Sequence, residues 1–246
     1  EKKTPAVKKR WRPKKTIQRD GYRVNKSVVK SKADMFCRLK SSRQFMAFYS
    51  ISFPQGLTDK DSIRCLNIWL TRIRTMRKKV NYLWVAERQK NGTIHYHILV
   101  DKYISIKISN DYMAKAIDSV NRKSENPVNQ YNRSKYNGVD VKRVFNATGV
   151  QRYIVKYISK QHSLFECRAN GYSRLVSALF TKMIIRANEA IYLWDKFRWD
   201  TDSEPFAYAV KLCDFAYWVP WKHSLPSFAV RRLLSANEKL FNEFYN

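Results

Sequence analysis

Acidic side chains are scarce in this chain: 20 Asp and Glu stand against 48 Lys and Arg over 246 residues, a formal charge of +28. That imbalance calls for a polyanionic partner, because cations that neutralise phosphates release condensed counterions. Nucleic acid is the first reading. A membrane surface is a weaker one, since no long amphipathic basic helix is visible. The four cysteines (Cys37, Cys65, Cys167, Cys213) lie far apart and make no CxxC pair. Zinc-ribbon and disulfide-framework readings therefore have no support, and a reducing compartment fits best. No apolar run is long enough to span a bilayer and no signal peptide opens the chain; from its start at Glu1 the expectation is a processed or trimmed chain. The expectation is a soluble, intracellular protein. A Gly-x4-Gly-Lys-Ser/Thr phosphate loop is missing, as is any internal repeat of 20 to 50 residues.

What is present is a packable chain. Hydrophobic residues make up 44% and aromatics 14%, enough for one domain with extensions and too much for disorder throughout. Residues 1–40 are densely basic with poor apolar periodicity and read as a basic arm, either a solvated tail or a DNA contact. "FMAFYSISFP" (45–54) has the aromatic and β-branched content of a buried strand. Thr58, with Asp61 three residues on, resembles a capping box, and Ile63, Leu66, Trp69, Leu70, Ile73 and Met76 follow at helical spacing. "NYLWVAE" and "TIHYHILV" read as two strands joined across "RQKNG". A helix over "NDYMAKAIDSVNRK" is introduced by Ser109 or Asn110, "ENPVNQYNRSKYNG" is a loop, "VDVKRV" a strand and "ATGVQRYIVKYISKQ" a helix.

That order predicts an α+β fold, a central antiparallel sheet flanked by helices, over a core of residues 41–162. Residues 163–246 read as a mainly helical C-terminal extension packed on the core, with an extended aromatic stretch inside it. Its tryptophans (Trp194, Trp199, Trp218, Trp221) fit core packing better than base stacking.

Two of the four histidines, His95 and His97, stand two residues apart in one strand, so their side chains share a face. If Lys90-Asn91-Gly92 is a three-residue hairpin loop with Gly92 left-handed, Gln89 pairs with Thr93 and Glu87 lies across from His95. A carboxylate and two imidazoles then converge as metal ligands with positions open for water and phosphate. A two-residue Asn91-Gly92 turn would instead put Arg88 opposite His95. Gln89 and Asp101 are reserve ligands.

"RYIVKYISK" (152–160) holds the same phrase twice, Tyr153-x-x-Lys156 and Tyr157-x-x-Lys160. At about 100° per residue these four side chains share one helical stripe, beside an apolar stripe of Val150, Ile154 and Ile158. Tyrosine is a poor nucleophile at its usual pKa of about 10. A nearby cation and lysines make its attack on a phosphate feasible.

"FYSISFP", "HYHILV" and "YIVKYISK" occur in the order and rough spacing of the three motifs of rolling-circle replication initiators of the HUH endonuclease superfamily. The chain resembles that family over about residues 45–160, and its Tyr-x-x-x-Tyr spacing resembles the two-tyrosine subclass of small single-stranded DNA phages and some transposases. The resemblance implies an HUH/RRM-like nuclease core in which His95 and His97, with Glu87, hold Mg²⁺ or Mn²⁺ on the scissile phosphate. Tyr153 or Tyr157 would nick one strand of origin DNA, leaving a 5′-phosphotyrosine and a 3′-OH that primes a host polymerase. The other tyrosine would cut again, so that the released strand is rejoined, while Lys156 and Lys160 neutralise charge. With no phosphate loop, unwinding would fall to a host helicase, in the cytoplasm of a bacterial host cell. The rivals are a two-tyrosine HUH transposase and a non-catalytic module binding single-stranded nucleic acid.

Overall fold

The computed structural model describes residues 21–39, 46–128, 131–144, 163–180, 210–213, 216–218 and 227–245. Its centre is a five-stranded sheet in the order β4-β1-β3-β2-β5, formed by β1 (Ala47–Ser52), β2 (Tyr82–Arg88), β3 (Ile94–Val100), β4 (Val139–Arg143) and β5 (Asn170–Tyr172). Every neighbouring pair is antiparallel. A separate hairpin joins β6 (Val210–Cys213) to β7 (Ala216–Trp218). The helices are α1 (Lys26–Arg38), α2 (Asp59–Met76), α3 (Ile106–Asn121), α4 (Arg174–Ala178) and α5 (Ser227–Tyr245). The α+β class expected from the element order is what the chain forms.

Alternation along the strands gives the sheet two different faces. On one, Tyr49, Ile51, Trp84, Tyr96 and Ile98 are buried with Leu66, Trp69 and Ile73 of α2 and Met113 and Ile117 of α3. Helices α2 and α3 are tied together where the Trp69 indole N–H donates to the Ser109 carbonyl at 3.1 Å. On the other face, Phe48, Leu83, Val85 and Leu99 form a second apolar cluster with residues of α1, α4 and α5. That cluster covers one end of the face only. Toward the turn end of β2 and β3, the residues on the same face are polar: Ser50, Ser52, Glu87, His95 and His97.

Helix α2 begins as its sequence predicts, with Thr58 Oγ1 accepting from the Asp61 N–H at 3.1 Å. The capping box is only half made. The Asp61 carboxylate turns instead to Arg64 and to the Ser124 hydroxyl. Asp59, also in the first turn, where carboxylates are favoured by the helix dipole, accepts a two-pronged bond from Arg88 at 2.7 and 2.6 Å. Arg88 additionally donates to the carbonyls of Gly92 and Leu164. One guanidinium thus fastens the end of β2, the hairpin turn, the start of α2 and the segment before β5.

Three expectations are corrected. Helix α3 starts a turn earlier than read, capped by Ser105 at 3.4 Å from the Ile108 N–H. Ser109 lies buried inside the helix, and the Asn110 side chain bonds both backbone groups of Val139. Residues 26–38, assigned to the basic arm, are helical, because Val29, Ala33, Phe36 and Cys37 recur at helical spacing and are buried beneath a lysine-rich outer side. In the same packing, the Lys32 ammonium donates to the carbonyls of Ser177 and Leu179, satisfying the open C-terminal end of α4. Finally, part of the segment after residue 163 belongs to the sheet: β5 pairs with β2, Leu83 opposite Tyr172. The helix expected over 147–161 lies outside the described residues, as do residues 1–20.

The Arg88 clamp is testable. Its side chain is 27% exposed and that of Asp59 only 7%, so removing the cation strands a nearly buried carboxylate. Arg88→Met is expected to cost about 2–3 kcal/mol in urea unfolding, below the fully buried case because Arg88 is partly solvated. A loss within about 0.5 kcal/mol would show that the clamp holds nothing together.

Candidate metal centre

The β2–β3 hairpin carries the site. Its loop is the three-residue Lys90-Asn91-Gly92: the Gln89 N–H donates to the Thr93 carbonyl at 2.9 Å, and Gly92 has φ +83°, a left-handed conformation that disfavours a side chain. The register that follows pairs Glu87 with His95 and Arg88 with Ile94. Glu87 is therefore on the histidine face, and Arg88 points toward α2, as the three-residue loop predicts.

Glu87, His95 and His97 each offer a ligand atom, and these atoms all lie within 4.8 Å of one another. His97 is 2% exposed and Glu87 22%, with His97 Nε2 at 2.6 Å from Glu87 Oε2. His97 is stacked between two rings, His95 with centroids 4.7 Å apart and Phe48 at 5.7 Å. It sits on the border between the apolar and polar parts of the face. Burial pushes the His97 pKa down to about 4. Burial also brings His95 down to about 4, helped by its neighbour His97 and opposed by Glu87. Both imidazoles are consequently neutral at ordinary pH, the state in which a ring nitrogen can ligate a metal.

Whether a cation fits can be judged from an orphaned atom. His95 Nε2 is buried and has no hydrogen-bond partner, a deficiency that proteins rarely tolerate. A divalent ion among the three ligand atoms would supply that partner. Two imidazoles and a carboxylate suit a first-row divalent ion with open positions.

The cluster opens into a depression of about 570 Å³ lined by Ser50, Ser52, Glu87, His95, His97, Asn137, Gly138, Asp140 and Lys142. This is within the range of small-ligand sites, about 300–1,000 Å³. Its rim is tight at Gly138, where a Cβ would lie 2.5 Å from the Ser52 carbonyl oxygen. Ser50, Ser52, Asp140 and Lys142 were not singled out by their sequence. The available signal was the alternation of polar residues in "FYSIS" and "VDVK", which places them on one face only once β1 pairs with β3 and β4.

Of the reserve ligands, Asp101 is excluded. It lies six residues from His95, about 20 Å along a strand, and its carboxylate accepts from the backbone and side-chain nitrogens of Asn81, both at 2.8 Å. Gln89 lies behind His95, 3.0 Å from Nδ1. Tyr153, Lys156, Tyr157 and Lys160 fall outside the described residues, as do Trp194, Trp199 and Trp221.

An antiparallel sheet presenting a His-x-His pair and a cross-strand carboxylate to an open pocket, in a strongly basic chain, has the make-up of a metal-dependent site for phosphate chemistry. Comparison with known proteins narrows the class. Residues 52–162 match the family of the replication-associated protein ORF2, a span that includes the histidine pair and both tyrosines. This bears out the resemblance to replication initiators of the HUH type. The Phasyl DNA replicon protein arp of Escherichia coli is 31% identical over 126 residues, covering 47% of this chain and 43% of that protein. The chain thus spans less than half the length of that relative. Among solved structures, the hypothetical protein ORF119 of Sulfolobus islandicus rod-shaped virus 1 superposes with a TM-score of 0.32 at 13% identity, covering 55% of this chain and 96% of its own. The N-terminal nuclease domain of minute virus of mice non-structural protein-1, described with Zn²⁺ coordinated in its active-site pocket, gives 0.34 at 10% identity, covering 61% and 90%. Both superpositions are loose. No helix among the described residues is long and apolar enough to cross a membrane.

The buried imidazoles make stability pH-dependent. In metal-free protein each has a folded pKa of about 4, against about 6.5 in the unfolded chain. The unfolded state therefore takes up protons first as pH falls. The stabilisation is complete above about pH 6.5 and is lost progressively toward pH 4. With EDTA present, Tm is expected to fall between pH 7 and pH 5, the His97 share being roughly 1–2 kcal/mol. His97→Asn should flatten that slope. An unchanged slope would show that His97 is not held neutral by the fold.

Proposed function

We propose that the chain initiates replication by nicking one strand of origin DNA with a tyrosine and rejoining it after a round of synthesis. The observation that carries this reading is the convergence of Glu87, His95 and His97 at an open pocket in a chain of charge +28. The family match over 52–162 supports it, since that span holds the cluster and the doubled Tyr-x-x-Lys phrase.

Glu87, His95 and His97 would hold Mg²⁺ or Mn²⁺. Such an ion, when bound, withdraws charge from the non-bridging oxygens of a phosphodiester. The chain's residues supply the rest. The phenolic oxygen of Tyr153 or Tyr157 attacks phosphorus, and the bond to the 3′ oxygen breaks. The products are a 5′-phosphotyrosine and a strand whose 3′ oxygen takes up a proton to become a 3′-OH. One phosphodiester replaces another, so the link stores the energy needed for rejoining. The second tyrosine repeats the cut when the origin has been copied, and the freed 3′-OH attacks the first link to close a circle. Lys156 and Lys160, each three residues after a tyrosine, offset the charge of the phenolate and phosphate. Lys142 adds a cation to the pocket wall. Extension of the 3′-OH falls to a host polymerase, and strand separation to a host helicase.

The test is incubation with single-stranded origin DNA in Mn²⁺ or EDTA, followed by a denaturing gel. An SDS-resistant protein–DNA adduct is expected with Mn²⁺ and not with EDTA. Tyr153→Phe and Tyr157→Phe should each retain it, and the double variant should lose it. Glu87→Ala is expected to lower its yield at least tenfold at limiting metal. Binding with no adduct under any condition would leave a nucleic-acid-binding module and remove the nickase.

A further inference from the structure

The hairpin loop does more than set the register, and the reason lies in its hydrogens. Four polar groups form a chain at its base. The Thr93 backbone N–H donates to Asn91 Oδ1 at 3.1 Å, Thr93 Oγ1 lies 2.7 Å from the same oxygen, and Thr93 Oγ1 lies 2.8 Å from the Gln89 side-chain oxygen. The Gln89 amide nitrogen then faces His95 Nδ1 at 3.0 Å. A threonine hydroxyl has a single hydrogen, and both amide oxygens can only accept. It cannot donate to both.

The conflict has one consistent resolution. Asn91 Oδ1 is fixed as the acceptor because a backbone N–H points at it; turning that amide would set two donors face to face. The threonine hydrogen therefore goes to Asn91, and an oxygen of Gln89 against Thr93 Oγ1 would be an unrelieved lone-pair contact. Oxygen and nitrogen of a glutamine amide occupy nearly equivalent positions, so a half-turn of Gln89 settles the network. Its NH₂ then donates to Thr93 Oγ1 and its oxygen accepts a hydrogen from His95 Nδ1. With the hydrogen of the neutral ring on Nδ1, the lone pair is on Nε2, the buried atom that has no partner. The Nδ1 side of His97 faces a hydroxyl instead. It lies 3.3 Å from Ser50 Oγ, a hydroxyl that can donate or accept and so imposes no tautomer.

We propose that Gln89 is a positioning residue: the Asn91–Thr93–Gln89 relay holds His95 in the Nδ1–H tautomer and aims Nε2 at the cation site. The lock itself stands on the hydrogen bonding; its consequence for metal affinity rests on Glu87, His95 and His97 being the ligands. Loss of an outer partner of a metal-bound histidine weakens binding about 10- to 100-fold.

The experiment uses the full chain, ¹⁵N-labelled, in which only four histidines require assignment. Long-range ¹H–¹⁵N spectra in EDTA near pH 7 are expected to show His95 protonated at Nδ1 and bare at Nε2. Gln89→Leu should move population to the Nε2–H tautomer and weaken Mn²⁺ binding about 10- to 100-fold in calorimetry. Gln89→Glu, whose carboxylate still accepts from Nδ1–H, should keep the tautomer and most of the affinity. An Nε2–H tautomer in the unmodified chain overturns the proposal without any variant. So does Gln89→Leu leaving both the tautomer and Mn²⁺ affinity unchanged. If His95→Ala binds Mn²⁺ as tightly as the parent while the parent shows Nδ1–H, the cation reading fails and the tautomer lock stands.

Discussion

The cross-strand register of β2 and β3 is the constraint on which the site depends. Strand side chains alternate with a period of two, so a slip of one residue exchanges the faces of a whole strand. In the observed register Glu87 faces His95, and Arg88 faces the helices. One residue of slip would bury the glutamate against α2 and put a guanidinium beside the imidazoles. Both ends of the hairpin are secured against that. At the turn, Gly92 closes a three-residue loop and Arg88 forks onto Asp59. At the open end, Asn81 and Asp101 exchange backbone and side-chain hydrogen bonds. The residues that hold the register are not the residues that meet at the pocket, so each group can serve one task.

The uneven covering of the second sheet face is what makes the site chemically useful. Helices α1, α4 and α5 cover its apolar part and stop short of the histidines. Among the described residues the polar part stays open, and the boundary falls at Phe48 and His97. A histidine there loses most of its contact with water but keeps its neighbours, so burial holds it neutral. One metal-ready imidazole is produced by apolar packing on its ring. The other, His95, is brought to the same state by partial burial and by repulsion from the first. The buried Asn237, whose side chain bonds the backbone of Phe180 in both directions, fastens α5 to the end of α4 and so keeps that cover in place.

Much of the core was legible in the sequence because its signals are local. Thr58 as a cap, the helical spacing of Leu66, Trp69 and Ile73, and the loop conformation of Gly92 each involve residues within a few positions of one another. Where the reading missed, another residue had taken over, one turn away or far along the chain. Ser109 was passed over as a cap because Ser105 lies a turn upstream, and Asn110 was free to bridge to Val139 across the chain. The apolar side of α1 is diluted by lysines and gains meaning only against β1, α4 and α5. Asp101 is as plausible a ligand by type as Glu87, yet it stands at the wrong end of a strand.

By itself, the sequence determined the strong positive charge of the chain and the hairpin with its His-x-His pair, the latter through strand alternation and a glycine-bearing turn. These follow from composition and from geometry that repeats over a few residues. Only the tertiary structure decided that Ser50, Asp140 and Lys142 line the same pocket, that Gln89 stands behind His95 instead of joining the converging atoms of Glu87, His95 and His97, and that the imidazoles are neutral. The physical reason is common to all three. Pairing between strands distant in sequence chooses which side chains meet, and burial, which belongs to the whole assembly of sheet and helices, sets their charge.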